Sequence, residues 1–205
     1  MVQYKLLYFD GRGTAEIIRQ IFVVAGEDYE DVRISREDWP KLKEEMPFGQ
    51  LPVLEEDGKK LAQSFAIARY LARKFGLAGK SAFEQALVDS IADQMKDFVS
   101  EIRPYLRIAW GFDQGDVSTS VEGILLPARE KLFTFLLKFL KENKSGFLVG
   151  DSLTWADLYL AEAAEIGQNV PEFYEGFPEI KAHSDNIRTI PVLRKWLETR
   201  PKTAF

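Results

Sequence analysis

A change of hydrophobic period near residue 78 constrains this 205-residue chain more than any other feature. Before it, short apolar runs of period two alternate with stretches of period 3.6, so strands and helices take turns. After it the period is helical throughout. Residues 2–8 read as a strand, and residues 13–25 as a helix with Ile17, Ile18, Ile21 and Phe22 on one side. Residues 29–34 read as a second strand, after which Ser35 and Asp38 form a Ser-x-x-Asp box opening a short helix. Residues 52–55 and 60–62 flank Asp57-Gly58, a hairpin signal. Ser64 opens a helix that runs to Phe75 and is stopped by Gly76.

In the second half, Phe83, Leu87, Ile91, Met95, Phe98, Ile102 and Leu106 recur every three or four residues, predicting one long helix with an apolar stripe. Residues 121–140 repeat the pattern, and further helices are expected near 154–167, 178–189 and 191–199. Thr154 and Asp157 have the spacing of a capping box, a structural feature rather than a chemical one. The expected organisation is an α/β domain over 1–78, a linker near Gly76–Lys80 and an all-helical domain over 81–205.

Composition narrows the chemistry. The chain has no cysteine, which excludes disulfides, thiolate metal sites and a protein thiol nucleophile. Its one histidine, His183, lies in a polar helical stretch and reads as a solvated surface residue. A net charge of −5, with basic residues scattered among acids, argues against nucleic acid and anionic membranes as partners. The N-terminus reads as a strand rather than a signal peptide, so none is expected, and no apolar run nears the roughly 20 residues that span a bilayer. A soluble cytoplasmic protein is expected, with unconventional export left open.

Three local features converge on a small anionic ligand: a strand ending in Tyr8, the extended Leu51-Pro52, and Gln63-Ser64 at a helix start. Each also has a plain reading. Tyr8 could pack its ring on a core, Pro52 could be an ordinary trans proline opening a strand, and Ser64 could only cap its own helix. The sequence also carries Tyr8-Phe9-x-x-Arg12-Gly13-x-Ala15-Glu16, Asp38-Trp39-Pro40, Pro47-Phe48-Gly49-Gln50-Leu51-Pro52-Val53-Leu54, Gln63-Ser64-x-Ala66-Ile67-Ala68-Arg69-Tyr70-Leu71 and Thr154-Trp155-Ala156-Asp157. In this order and spacing, over essentially the whole length, the chain resembles a cytosolic glutathione transferase. It is most similar to the sigma class, with its nematode members and the glutathione-dependent prostaglandin D synthases.

The resemblance implies a thioredoxin-like α/β N-terminal domain joined to an all-α C-terminal domain, with glutathione as co-substrate and no metal. Tyr8 would donate a hydrogen bond to the glutathione sulfur. A free thiol of pKa about 8.5 is only about 3% ionised at pH 7. A hydrogen bond to a charged acceptor, worth roughly 1.5–3 kcal/mol, lowers such a pKa by about one to two units. A phenol of pKa about 10 stays protonated and can supply it. Pro52 would be cis, aiming the Leu51 backbone at the cysteinyl part. Gln63 and Ser64 would take the γ-glutamyl end, and Trp39, Lys43 and Gln50 the glycyl end. Asp97 would reach the glutathione ammonium across a homodimer, with Phe48 and Arg69 as interface residues.

The hydrophobic substrate site would be lined by Phe9, Gly13, Thr14, Met95, Tyr105, Tyr159 and Phe205. Thr14 stands where many sigma-class enzymes carry arginine, which removes a cation near the sulfur. Lys96 between Asp93 and Asp97 argues against divalent activation, and Tyr105 stands near where the prostaglandin enzymes place a tryptophan. Conjugation of hydrophobic electrophiles is therefore the expected activity. Prostaglandin H2 D-isomerisation and passive binding of haem or similar ligands are the alternatives; a lens-type crystallin is disfavoured because the helical half lacks a long insertion.

Overall fold

In the computed structural model, which describes residues 2–203, strand β1 (Tyr4–Phe9) lies inside a four-stranded sheet. Tyr4, Leu6 and Tyr8 are buried while Lys5, Leu7 and Phe9 are half-covered, as a period-two strand requires. A 3₁₀ turn at Gly13–Ala15 leads into helix α1 (Glu16–Ala25), closed by Gly26 in the left-handed region (φ 71°). Strand β2 (Glu30–Ile34), the short helix α2 (Trp39–Leu42), the hairpin β3 (Val53–Glu56) and β4 (Lys59–Ala62), and helix α3 (Ser64–Lys74) follow. The strand order is β2-β1-β3-β4. The first pair is parallel, with Phe9 opposite Ile34; the others are antiparallel, with Leu7 opposite Val53 and Val53 opposite Ala62.

α1 packs on α3. Ile18, Ile21 and Phe22 of α1 and Ile67, Ala68, Leu71 and Ala72 of α3 lose all their exposure. Phe22 stacks on Tyr29 at 4.5 Å and tilts against Tyr4 at 5.2 Å. Each large side chain buried this way stabilises the fold by about 1.5–3 kcal/mol. Ser35 and Asp38 do pair, Asp38 N–H donating to Ser35 Oγ at 3.0 Å, but they fasten the turn before α2.

The second unit, Ala78–Ile190, is helical: α4 (Ala82–Glu101), α5 (Arg103–Ala109), α6 (Val117–Ser120), α7 (Leu126–Glu142), α8 (Trp155–Glu162), α9 (Ala164–Gly167) and α10 (Pro178–Arg188). α8 packs against α4 and α10, and α7 against α4 and α10, around Trp155, Leu158, Phe133 and Phe173. The long helix expected through Leu106 breaks at Ile102 (ψ 1°), because Pro104 has no N–H and its ring would crowd the carbonyl four residues back. Phe83, read as the first member of the buried stripe, is 78% exposed; the buried run begins at Val88. The helix expected over 121–140 contains a π-wound turn at Val121–Leu125, where Leu126 N–H reaches back to Val121 O just before Pro127.

His183 corrects another expectation. It is buried on α10, with Nε2 2.9 Å from Asp157 Oδ1. The fully buried Asp157 also accepts from Leu148 N–H and from the N–H and hydroxyl of Thr154, each at 2.8 Å. A carboxylate saturated with donors makes His183 Nε2 a donor too. The Thr154/Asp157 pair therefore ties α8 to α10 as well as starting α8.

The last helix, α11 (Pro191–Thr199), grouped with the helical domain on sequence, belongs to the first unit and packs on α1. Leu193 of α11 is fully buried, and a polar contact adds to this packing. Glu16, the first residue of α1, is buried, and its Oε1 accepts from Trp196 Nε1 at 2.8 Å and Arg200 Nη1 at 2.6 Å. A buried carboxylate needs such partners.

Candidate active site

The sheet register collects the sequence-predicted residues of the first unit at one end. Because β3 is antiparallel to β1 and β4 to β3, the end of β1 (Tyr8, Phe9) lies beside the entry to β3 (Pro52) and the exit of β4 (Gln63). The parallel β2 leaves at the same end and leads to α2. The Leu51–Pro52 bond is cis.

Tyr8 is nearly buried, and its hydroxyl is met by Thr14 N–H at 3.3 Å and Thr14 Oγ1 at 3.4 Å. Both distances are long for hydrogen bonds, so these contacts are weak and the hydroxyl proton is not committed to Thr14. Gly13, expected to line the hydrophobic site, lies against Tyr8. Its φ is +38°, and a Cβ there would stand 2.4 Å from the Tyr8 hydroxyl oxygen. Only glycine lets the backbone come this close.

The start of α3 is equally specific. Gln63, its N-cap, is a non-glycine residue at φ 74°, ψ 112°, and no side chain caps the helix. The reading of Ser64 as a simple cap is therefore not needed: Ser64 is the first helical residue and is only half-buried. A strained N-cap residue costs about 1–3 kcal/mol and is typical of sites. The first-turn N–H groups and the positive end of the helix dipole are suited to a carboxylate. Gln63 Nε2 also lies 3.4 Å from Gln50 Oε1, bringing those two exposed side chains together.

Trp39 meets Phe9 edge-on at 5.5 Å and, with Leu7, Leu42 and Leu51, packs on a small core of Met46, Val53 and Ala62. That core anchors the side chain of Leu51. Lys43 is exposed, its stem lying over Gly49, where a Cβ would be 3.5 Å from Lys43 Cε. In the other unit, Asp97 is exposed on α4, Met95 and Tyr105 are buried, and Tyr159 is half-buried. Burial pushes the Tyr105 and Tyr159 hydroxyls above the ordinary phenol range. Phe205 lies outside the described residues. No group of three or more His, Asp or Glu able to hold a metal occurs among the described residues, and no helix there is long and apolar enough to cross a membrane.

Sequence reasoning missed Arg19. It is fully buried on α1, donating through Nη1 to Gly11 O at 2.8 Å and through Nε to Asp31 Oδ1 at 3.1 Å. Its guanidinium carbon sits 5.9 Å from the Tyr8 ring centroid, within cation–π range. The signal was present: Glu16 and Arg19 interrupt the apolar run Ile17, Ile18, Ile21, Phe22, and charged residues among core positions are buried only when paired.

A thioredoxin-like α/β unit with a cis-proline loop and an open helix N-terminus, followed by a helical unit, is the architecture of the glutathione transferase fold. The comparisons narrow it. The glutathione S-transferase N-terminal domain matches residues 4–73, and the glutathione S-transferase C-terminal domain matches residues 101–200. The chain is 57% identical to the probable glutathione S-transferase 5 of Caenorhabditis elegans, with both chains covered completely. It superposes with a TM-score of 0.98 on a glutathione S-transferase of the human hookworm Necator americanus, described as monomeric, at 66% identity over 99% of this chain and 100% of the other. A Nu-class enzyme of Haemonchus contortus gives a TM-score of 0.92 at 62% identity, both chains fully covered. This chain belongs to the glutathione S-transferase family; it is an enzyme of that kind, with glutathione as co-substrate.

Proposed function

We propose that the Tyr8 hydroxyl donates a hydrogen bond to the sulfur of bound glutathione, holding it as a thiolate that attacks hydrophobic electrophiles. The observation that carries this is the convergence of Tyr8, cis-Pro52 and the uncapped start of α3 at one end of the sheet. The thiol proton leaves to solvent. The sulfur lone pair then forms a C–S bond, and chloride departs from a chloronitrobenzene, or a proton is taken up at carbon after addition to an unsaturated carbonyl. The uncapped α3 start, with Gln63 and Ser64, takes the γ-glutamyl carboxylate; the Leu51 backbone pairs with the cysteinyl part; Trp39, Lys43 and Gln50 hold the glycyl end.

Phe9, Thr14, Met95, Tyr105 and Tyr159 line the electrophile's site in this proposal, and Asp97 reaches the glutathione ammonium of the partner subunit. The homodimer it requires is supported by Phe48, 67% exposed, and by an open groove of about 630 Å³ over Ala66, Arg69, Tyr70, Arg73 and Lys74 on α3. The motif set resembles the sigma class, and the likeness to nematode enzymes, a Nu-class one of Haemonchus contortus among them, supports a nematode-type member.

The test is Tyr8→Phe. The thiol pKa of bound glutathione, read by thiolate absorbance, should rise by about one to two units and turnover at neutral pH fall roughly 10- to 100-fold. Glutathione affinity should barely change. A Tyr8→Phe enzyme that conjugates chlorodinitrobenzene at the natural rate would refute the mechanism.

A further inference from the structure

We propose that the last helix positions the catalytic loop: Trp196 and Arg200, acting through the buried Glu16–Arg19 pair, hold the 11–14 loop so that Thr14 meets the Tyr8 hydroxyl. The contacts form an unbroken series within the first unit. Trp196 Nε1 and Arg200 Nη1 donate to Glu16 Oε1 at 2.8 and 2.6 Å. Glu16 Oε2 is 3.5 Å from Arg19 Nη1, and both side chains are essentially without exposure. Arg19 Nη1 donates onward to Gly11 O at 2.8 Å and lies 3.4 Å from Arg12 O. Two residues later, Thr14 N–H and Oγ1 reach the Tyr8 hydroxyl.

The charges explain why the series acts as a unit. Glu16 is shared by two guanidinium groups, and Arg19 is balanced on its other side by Asp31. Buried ions held this way adopt one geometry, because losing any partner leaves a charge uncompensated. Arg19 spends one nitrogen on loop carbonyls and another on Asp31, while its Nη2 has no hydrogen-bond partner among the described residues. Its guanidinium faces the Tyr8 ring instead. Arg19 thus touches both the ring of Tyr8 and the loop that contacts its hydroxyl, and α11 fixes Arg19 through Glu16. None of these four residues touches the reacting atoms; they are positioning residues.

The inference rests on the reading of Tyr8 as the group that faces the thiol, and its test separates the two. Trp196→Phe removes one donor to Glu16 and keeps an aromatic, though smaller, ring. Arg200→Met removes the cation, Arg200→Lys restores it, and Lys195→Ala on the exposed side of α11 is the control. The amide ¹⁵N resonances of Gly13 and Thr14 should move in Trp196→Phe and Arg200→Met and stay in place in Lys195→Ala. The rate with chlorodinitrobenzene should fall about tenfold in both, less than the hundredfold a full ångström of misplacement can cost. The bound thiol's pKa should rise, KM for glutathione should stay within about twofold, and Arg200→Lys should recover most of the rate.

Unmoved Gly13 and Thr14 amides, or a full rate in Arg200→Met alongside a lowered melting temperature, would reduce the network to fold stability and overturn the inference. Amides that move in an enzyme whose Tyr8→Phe form loses no rate would uphold the positioning and fault the thiolate mechanism instead.

Discussion

Replacing Gly13 by alanine tests how closely the site depends on backbone approach. The new Cβ would lie 2.4 Å from the Tyr8 hydroxyl oxygen and 3.1 Å from ring carbons Cε1 and Cζ. Real Cβ contacts do not fall below 3.0 Å, so the hydroxyl, the loop or both must give way. The ring has little room to yield: Tyr8 is nearly buried, with Phe9 5.8 Å away and Arg19 beside it. A retreat of at least about 0.6 Å at the hydroxyl proposed to meet the sulfur should lower turnover roughly 10- to 100-fold.

Alanine at φ +38° adds a backbone cost of about 1 kcal/mol that could lower stability by itself. Gly26→Ala isolates that part. Gly26 is also left-handed, at φ +71°, and a Cβ there meets nothing within 4 Å. The assay is the initial rate of chlorodinitrobenzene conjugation against pH, with melting temperatures for both variants. Gly13→Ala should lose rate and raise the bound thiol's pKa, whereas Gly26→Ala should lose a similar amount of stability and keep its rate. Equal rates in the two variants would show that the Gly13–Tyr8 contact does not set the hydroxyl's position.

Two further outcomes are expected. Asp157→Ala should cost about 3–5 kcal/mol in urea denaturation, more than the loss of a helix cap, because four buried donors lose their acceptor at once; turnover per folded molecule should hold, and a loss under 1 kcal/mol would show the cluster to be dispensable. Phe48→Ser should shift sedimentation from dimer towards monomer at micromolar concentration; a natural protein that already sediments as a monomer, as its hookworm likeness is described, would remove the proposed role of Asp97.

What could be read from the sequence was what neighbouring residues decide. The alternation of β1, the Asp57-Gly58 hairpin and the α1 stripe of Ile17, Ile18, Ile21 and Phe22 are local patterns, and the structure reproduces them within a residue or two. The Thr154/Asp157 pair was legible for the same reason, but its third partner, His183, lies 26 residues away. The bond from Arg200 to Glu16 spans 184 residues, and no period or spacing announces it. The break at Ile102 was masked because the apolar stripe continues through it, although Pro104 carried the warning. At the site, Tyr8, Pro52 and Gln63 could be named from motifs. Gly13 as the residue that admits the Tyr8 hydroxyl could not, since that depends on a φ angle and a distance between side chain and backbone.

The placement of α11 has a consequence for how the chain is made. A ribosome delivers β1 through α3 first, yet the carboxylate of Glu16 acquires Trp196 and Arg200 only after some 180 further residues have been synthesised. Until then the α/β unit holds a buried carboxylate that lacks two of its donors, although the helical unit, contiguous from Ala78 to Ile190, has already been synthesised whole. The part that begins the chain is therefore the part whose buried charges are completed last, by residues at the far end of the sequence.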